Sequence, residues 1–569
     1  MSKELKDSGI SFRYTAEQAA RFRQNGWWED QGLLDRLDRW TEQAPDRELV
    51  TDGVGRLTYA EARGQAYRLA AELRRLGVDR GDRVLVQLPN WNEFVIIYLA
   101  AVRAGAVFLP IMPIYRHDEV GYILKRSGAK VAFTAGEFRR FDHLQMFREL
   151  RQAGSELEHL VVVRATPAEG ELSLADLTRP DLSPDTYDED AIGPRADADD
   201  GHVLIFTSGT ESRPKGCLHT WNTIGFSVRG LSEAFQLDRS SVTFAPSPVS
   251  HGTGLALGVA APIFAGGAIH LLDVWQPKEG LARIREHQCT HAATATPFVR
   301  MALDAFDPAQ DDVSSMRAWT CAGAPIPASL ADEVATVFRG CRLLPLYGAS
   351  EIFAATVCWA SDPPEMAVTS DGRPALDGVE VRIVNERGEE LPSGEEGEVW
   401  YRGAGAMIGY WRDPERTATA ITDGWYHTGD LGQFNAQGLL RLKGRIKDVI
   451  IRGGTNISAG EVEEHLLTHP KVKSVAVVAM PDRRLGEKAC AFVVPTGPEA
   501  PTLVELADYL KNVRRIAVHK LPERLEIIEE LPVTPTGKVQ KFALRERARQ
   551  LAAASDNREM ALGPQRLSS

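Results

Sequence analysis

Between residues 57 and 112 the apolar positions change period along the chain. In LTYAEARGQAYRLAAELRRLG (57–77) they recur at helical spacing, whereas DRVLVQLP (82–89) is a short apolar run bounded by polar residues, the mark of a buried strand. A second helix is predicted over about residues 91–104, followed by a strand at AVFLPI. This alternation predicts parallel strands with helices on both faces. Further buried strands are predicted at HLVVV (159–163), VLIF (203–206), AIHLLD (268–273) and CRLLPLYG (341–348). The longest apolar stretches, 94–111 and 254–268, are broken by Arg103 or too short for the roughly 20 clean residues of a membrane span, and read as buried helix and strand pairs.

Past about residue 370 the pattern changes. VEVRIVNERGEELPSGEEGEVWYRG alternates apolar and polar residues between turns, which predicts an antiparallel sheet with one wet face. From about 445 a strand, a helix (458–470), two strands (472–481 and 488–495), a helix at 502–515 and a strand near 524 predict a small α+β domain. The expected fold class is therefore α/β: a large N-terminal domain of doubly wound sheets (1–445) carrying a small antiparallel β subdomain (about 370–440), then an α+β C-terminal domain (446–550). Residues 551–569 show no periodic apolar face at their end and are expected to be disordered.

Composition narrows the class. The chain has 569 residues, 43% of them hydrophobic and 25% charged, with a formal net charge of -12, as expected of a globular enzyme of several structural units. That sign gives no support to a nucleic-acid or anionic-membrane partner. The six cysteines are far apart, with no CxxC pair and no zinc-like spacing, and are expected to be reduced thiols of a cytoplasmic protein. MSKELKDSGISFRYT lacks the apolar core of a signal peptide. Oligomeric state is open, a homodimer being one option.

The stretch VLIFTSGTESRPKG (203–216) is a strand running into a turn rich in hydroxyls and glycine. Thr207, Ser208, Thr210 and Ser212 offer hydroxyl donors, backbone N–H groups around Gly209 offer an anion site, and Lys215 adds a cation. The stretch does not match the Walker pattern, because Pro214 replaces its second glycine, and Glu211 places a negative charge within the turn. YGASE (347–351), WYHTGD (425–430), GRIKD (444–448) and PVTPTGKVQK (532–541) follow in order. With TSGTESRPKG they resemble the signatures of the adenylate-forming superfamily of acyl-CoA synthetases, peptide-synthetase adenylation domains and luciferases, over about residues 30–550.

The resemblance implies an enzyme that joins a carboxylic acid to ATP as an acyl-adenylate, releases pyrophosphate, and passes the acyl group to a thiol. The cofactors implied are ATP, Mg²⁺ and CoA. Residues 207–216 would embrace the β- and γ-phosphates, with Glu211 turned from them toward Arg213 or Lys215, or facing Mg²⁺. Glu351 would help hold Mg²⁺. Gly323, Ala324 and Pro325 would face Tyr347 across the adenine, with Gly348, Ala349 and Ser350 beside it. Asp430 suits the ribose diol, and Arg445 is expected at the same ribose. Lys538 is the expected catalytic lysine, bridging the carboxylate and the α-phosphate. A lone loop lysine is ordinarily solvated, and only the motif singles it out. Lys447 falls at the family's hinge position, about which the small domain would move. Gly453 and Gly454 would line a tunnel for the pantetheine thiol.

In SPVSHGTG (247–254), His251 stands where related ligases carry a residue beside the carboxylate. Gly252 occupies the place of the aspartate that pairs with the amine in amino-acid-activating relatives, so an amino acid is not the expected substrate. His251, Gly252, Thr253, Gly254, Cys321, Ala322, Gly323, Ala349 and Phe353 are expected to line a roomy apolar pocket for a bulky, aryl, alicyclic or medium-chain acid. NGWWEDQGLLDRL strengthens the likeness to cyclohexanecarboxylate-type and medium-chain acyl-CoA ligases. Trp221 in HTWN stands where relatives have histidine, leaving His219 without a settled role, and Lys541 replaces a commoner arginine. Loading of an acyl carrier protein is the alternative acceptor reaction. A non-catalytic nucleotide- or acyl-binding protein is the alternative of another class.

Overall fold

The computed structural model describes residues 13–207, 213–323, 326–453, 455–534 and 538–561. The chain forms two compact units, Met1–Val381 with Tyr401–His427, and Arg382–Trp400 with Thr428–Ser569.

In the first unit the predicted alternation is realised as two sheets. A nine-stranded sheet runs Arg373–Pro374, Thr356–Val357, Arg342–Tyr347, Ala318–Ala322, His291–Thr294, Val242–Ala245, Ala268–Leu271, Glu48–Thr51, Arg56–Thr58. An eight-stranded sheet runs Gly409–Tyr410, Lys215–Thr220, Gly201–Thr207, Val107–Pro110, Arg83–Gln87, Val131–Ala135, His159–Val163, Leu172–Ser173. Both have parallel interiors, and antiparallel pairing enters at Lys215–Thr220, at Thr356–Val357 and at Arg56–Thr58.

One apolar core joins the two sheets through the helices Tyr59–Arg75, Asn92–Arg103 and Trp221–Ala234. The first begins at a capping box, Thr58 accepting from the Glu61 amide while Glu61 accepts from the amide of Thr58, and it buries Ala62, Ala66, Leu69, Ala70 and Leu73 on one side. The second is apolar nearly all round because it is covered on every side. Arg103, which interrupts that apolar stretch, is 1% exposed, pairs with Glu189 and donates to the Gly193 carbonyl at 2.9 Å. No helix among the described residues is long and apolar enough to cross a membrane.

The second unit shows why 472–481 and 488–495 read as unbroken apolar runs. The hairpin Val472–Asp482 and Gly486–Pro495 is buried on both faces. Val475, Val477, Ala489, Ala491 and Val493 point to one core, closed by Val462, Leu466, Leu506 and Leu510. Ala476, Val478, Met480, Cys490 and Phe492 point to the other, closed by Leu544 and Ala548 of the helix Lys541–Ala561. Disorder was expected from residue 551, but the chain remains helical through Ala561. The helix owes its place to the second face of the hairpin, which would otherwise expose Phe492 and Met480 to water.

The expected boundary near 445 falls inside the second unit. Strand Leu440–Arg445 is held to the helix Ala459–Leu466: Ser458 Oγ donates to the Lys443 carbonyl at 2.8 Å, and Arg441 pairs with Glu464 at 3.2 Å. Leu544→Ala is expected to cost the second unit about 3 kcal/mol by opening a cavity under the hairpin. Hydrogen exchange should quicken in Gly486–Pro495 while Val107–Pro110 in the first unit keeps its protection.

Candidate active site

The strands Gly201–Thr207 and Lys215–Thr220 form a hairpin that sets Thr207 opposite Lys215, at the base of the turn predicted to bind phosphate. Ser208, Gly209, Thr210, Glu211 and Ser212 lie outside the described residues, as do Ala324, Pro325 and Gly454. Arg213, one expected partner of Glu211, pairs with Asp118 at 2.7 Å. Lys215, the other, reaches Tyr410 Oη at 3.4 Å and lies 3.9 Å from Glu351 Oε1.

Glu351 follows the strand Arg342–Tyr347 in a turn folded tightly on itself: a Cβ on Gly348 would stand 1.8 Å from the Phe353 carbonyl oxygen, so only glycine fits there. Phe353 is held at φ +48°, uncommon for a bulky residue and a form of strain found near functional sites. Glu351 is 6% exposed, so its charge must be met by donors. Tyr410 Oη donates to Oε1 at 2.7 Å, and the Met407 amide donates to the Glu351 carbonyl at 2.8 Å. Burial, then the charge of Glu351, pushes the Tyr410 phenol far above its ordinary range, so it stays protonated and donates. The buried Tyr426 phenol is likewise pushed far up, by burial and then by the charge of Glu351.

No group of three or more His, Cys, Asp or Glu side chains stands ready for a metal among the described residues. One carboxylate together with phosphate oxygens and waters is a donor set Mg²⁺ takes. Glu351 fits that role with MgATP as substrate.

His219, whose role the sequence left open, is a buttress. Its Nε2 donates to the Ser350 carbonyl at 2.8 Å and its ring meets the Phe353 ring edge-on at 4.8 Å between centroids. Trp221 donates to the Gln31 carbonyl at 2.6 Å, joining the HTWN motif to the NGWWEDQG segment.

The expected acid pocket is brought together in part. The place a Cβ would take on Gly252 lies 3.6 Å from the Phe353 ring, 3.7 Å from Ser350 Oγ and 3.8 Å from Ile205, so that wall is small and uncharged. His251 and Thr253 flank it, half-buried, with the Thr253 amide 3.4 Å from His251 Nδ1. Ala322 packs toward the main core, whereas Cys321, its neighbour on the strand, turns to the opposite face among Trp319, Ile326, Leu330 and Phe338. Cys321 is therefore a core residue, and burial pushes its thiol up to about 12. All six cysteines are buried and unpaired. Tyr347 is buried at the strand end, and Gly323 takes φ +83°.

In the second unit Asp430, 7% exposed, faces Arg445 across the strand pair and binds its Nε at 2.9 Å, so the two residues expected at the ribose form an ion pair. Lys447 sits in a short turn, Ile446–Asp448, tied to the C-terminal helix by Arg545, which donates to the Lys447 carbonyl at 3.2 Å and pairs with Asp448. The Gly453 amide donates to the Leu485 carbonyl at 2.7 Å. Lys538 is exposed on a hairpin in which Thr534 N donates to its carbonyl at 2.7 Å and Lys538 N donates to Thr534 Oγ1 at 3.1 Å. Lys541 anchors the base of that hairpin by pairing at 2.7 Å with Glu463, whose carboxyl burial raises.

Sequence reasoning missed Tyr410 and Tyr426, although Tyr426 stands in WYHTGD. Tyr410 follows the apolar run AMIG, and nothing in its spacing distinguishes it from core.

A hairpin lysine beside a buried carboxylate, together with five ordered motifs, fits an adenylate-forming acid ligase. The chain belongs to the AMP-binding enzyme family: residues 37–411 match that family, and residues 461–538 match the AMP-binding enzyme C-terminal domain. It is 36% identical to the medium-chain fatty-acid–CoA ligase of Escherichia coli (strain K12), over 94% of each chain. It is 33% identical to the 2,3-dihydroxybenzoate-AMP ligase of Bacillus subtilis (strain 168), over 93% of this chain and 96% of that one. The anthranilate CoA ligase AuaEII in complex with anthranoyl-AMP shares the fold at a TM-score of 0.83 and 27% identity, over 92% of this chain and 98% of that one.

Burial lowers the His219 imidazole to about 4 against an ordinary value near 6.5. The unfolded chain therefore takes up this proton first as pH falls, and the stability contributed by neutral His219 is full above about 6.5 and lost toward 4. Urea unfolding at pH 7.5 and 5 should show His219→Gln losing about 2 kcal/mol less than the wild type over that interval.

Proposed function

We propose that the chain is an ATP-dependent acid:CoA ligase for a bulky, aryl, alicyclic or medium-chain carboxylic acid. The observation that carries this reading is the wall at Gly252, small and uncharged against Phe353, Ser350 and Ile205. An ammonium buried there would lack a counter-charge, whereas an apolar acyl group loses nothing. The medium-chain CoA ligase and anthranilate CoA ligase relatives support an acid of this kind and CoA as acceptor.

In the first step a carboxylate oxygen of the acid attacks the α-phosphorus of ATP, and the bond to the β-phosphate oxygen breaks to release pyrophosphate. Both reactants are anionic, so charge has to be offset before they meet. Lys215 and the turn after Thr207 would serve the phosphates, and Glu351 would help hold the Mg²⁺ that accompanies ATP, which would offset phosphate charge. Lys538 bridges the carboxylate and the α-phosphate as charge builds between them. Asp430 and Arg445 serve the ribose, which requires their ion pair to open or to share the ligand. Gly323 and Tyr347 serve the adenine, and His251 stands beside the carboxylate. In the second step the CoA thiolate attacks the acyl carbonyl and AMP leaves, with Gly453 and Gly454 beside the pantetheine and Lys447 as the hinge.

Pyrophosphate exchange and hydroxamate trapping across a panel of acids test the reading. Signal is expected with aryl, alicyclic or medium-chain acids and none with free amino acids. Free CoA should accept the acyl group, and transfer to a carrier protein alone would replace CoA as acceptor. No acid-dependent signal would sink the ligase reading for this chain. Lys538→Ala should cut adenylation by roughly 10²- to 10³-fold with the fold intact by circular dichroism. Intact adenylation in that variant would remove Lys538 from the mechanism.

A further inference from the structure

Tyr410 touches both charged groups that the proposed reaction needs in the first unit. Its strand, Gly409–Tyr410, is paired with Lys215–Thr220, Cys217 opposite Tyr410, and the Trp411 amide donates to the Gly216 carbonyl at 2.7 Å. The phenol is thus fixed by backbone to the strand that carries Lys215. Its oxygen donates to Glu351 Oε1 at 2.7 Å and takes a contact from Lys215 Nζ at 3.4 Å, while Nζ also stands 5.0 Å from the centre of the Tyr410 ring. Lys215 and Glu351 themselves remain 3.9 Å apart, a loose pair for two opposite charges in a largely buried place.

We propose that Tyr410 is a positioning residue for MgATP: its hydroxyl occupies Glu351 Oε1 and holds Lys215 off the carboxylate, so that the lysine stays directed to phosphate and the carboxylate stays directed to the metal. Without the hydroxyl, Lys215 closes on Glu351 as a direct ion pair, and each loses its own partner in the ligand. The inference rests on Glu351 as the carboxylate that meets Mg²⁺.

Calorimetric titration of a non-hydrolysable ATP analogue, with and without Mg²⁺, reads this without turnover. Tyr410→Phe keeps the ring and removes the hydroxyl. It should weaken binding in the presence of Mg²⁺ by about tenfold and metal-free binding, where only the contact of Lys215 with phosphate is lost, by clearly less. Glu351→Gln should lose the same Mg²⁺-dependent increment, and the double variant should lose no more than either single one. Tyr410→His, which retains a ring N–H donor, should fall between Tyr410→Phe and the wild type. If Glu351→Gln loses the increment while Tyr410→Phe keeps it, the positioning role is overturned. If Glu351→Gln keeps the increment, the assignment of Glu351 to the metal fails first. A loss in Tyr410→Phe equal with and without Mg²⁺ would show a structural role only and would also overturn the proposal.

Discussion

A carboxylate removed from water has to be surrounded by donors, and much of the first unit is organised around meeting that demand at Glu351. The phenol of Tyr410 supplies the hydrogen bond to the side chain, and the Met407 amide secures the backbone. Both come from the segment between 403 and 411, which is itself held from elsewhere: Tyr14 Oη donates to the Ala406 carbonyl at 2.8 Å, Trp28 Nε1 to that of Ala404 at 3.0 Å, and Arg13 Nε to that of Met407 at 2.9 Å. Residues near the start of the chain therefore stabilise the position of a carboxylate more than three hundred residues later in sequence. The turn is braced on its other side by His219 against Ser350. Such bracing matters because a buried charge tolerates little displacement of its donors before desolvation dominates.

The second unit solves a different problem. Its central hairpin is apolar on both faces, so it must be covered twice, once by the helices Ala459–Leu466 and Leu503–Asp508 and once by Lys541–Ala561. The second cover has a consequence for chemistry. The helix that begins at Lys541 follows directly on the hairpin bearing Lys538, and the ion pair of Lys541 with buried Glu463 fixes where that hairpin leaves the domain. An exposed lysine is thus mounted on a base set by packing. Retention of charge at Lys541 matters more here than the fork geometry of an arginine, since one ammonium meets one carboxylate.

Much of the architecture could be read along the chain because local period reports local structure. The helices Tyr59–Arg75 and Asn92–Arg103 and the strands Arg83–Gln87, His159–Val163, Gly201–Thr207 and Arg342–Tyr347 fall where the spacing of apolar residues placed them. The helix Lys541–Ala561 was not predicted, since its apolar face is short and meaningful only against the hairpin it covers. Cys321, expected at the acid pocket, packs among Trp319, Ile326, Leu330 and Phe338, and composition reports that a residue is small but not which face of a sheet it occupies. The compact units divide within strands of an antiparallel sheet rather than at a linker, so no shift in composition marks the division.

By itself the sequence determined the alternation of elements, the ordered motifs and, through them, the family and its chemistry, because each of these is written in residues close together in the chain. Only the tertiary structure decided that Tyr410 donates to Glu351 and meets Lys215, that His219 braces the turn, and that Gly252 faces Phe353. Those relations join residues tens to hundreds of positions apart, and a tyrosine in an apolar run carries no local sign of whether its hydroxyl meets solvent, a carbonyl or a buried carboxylate.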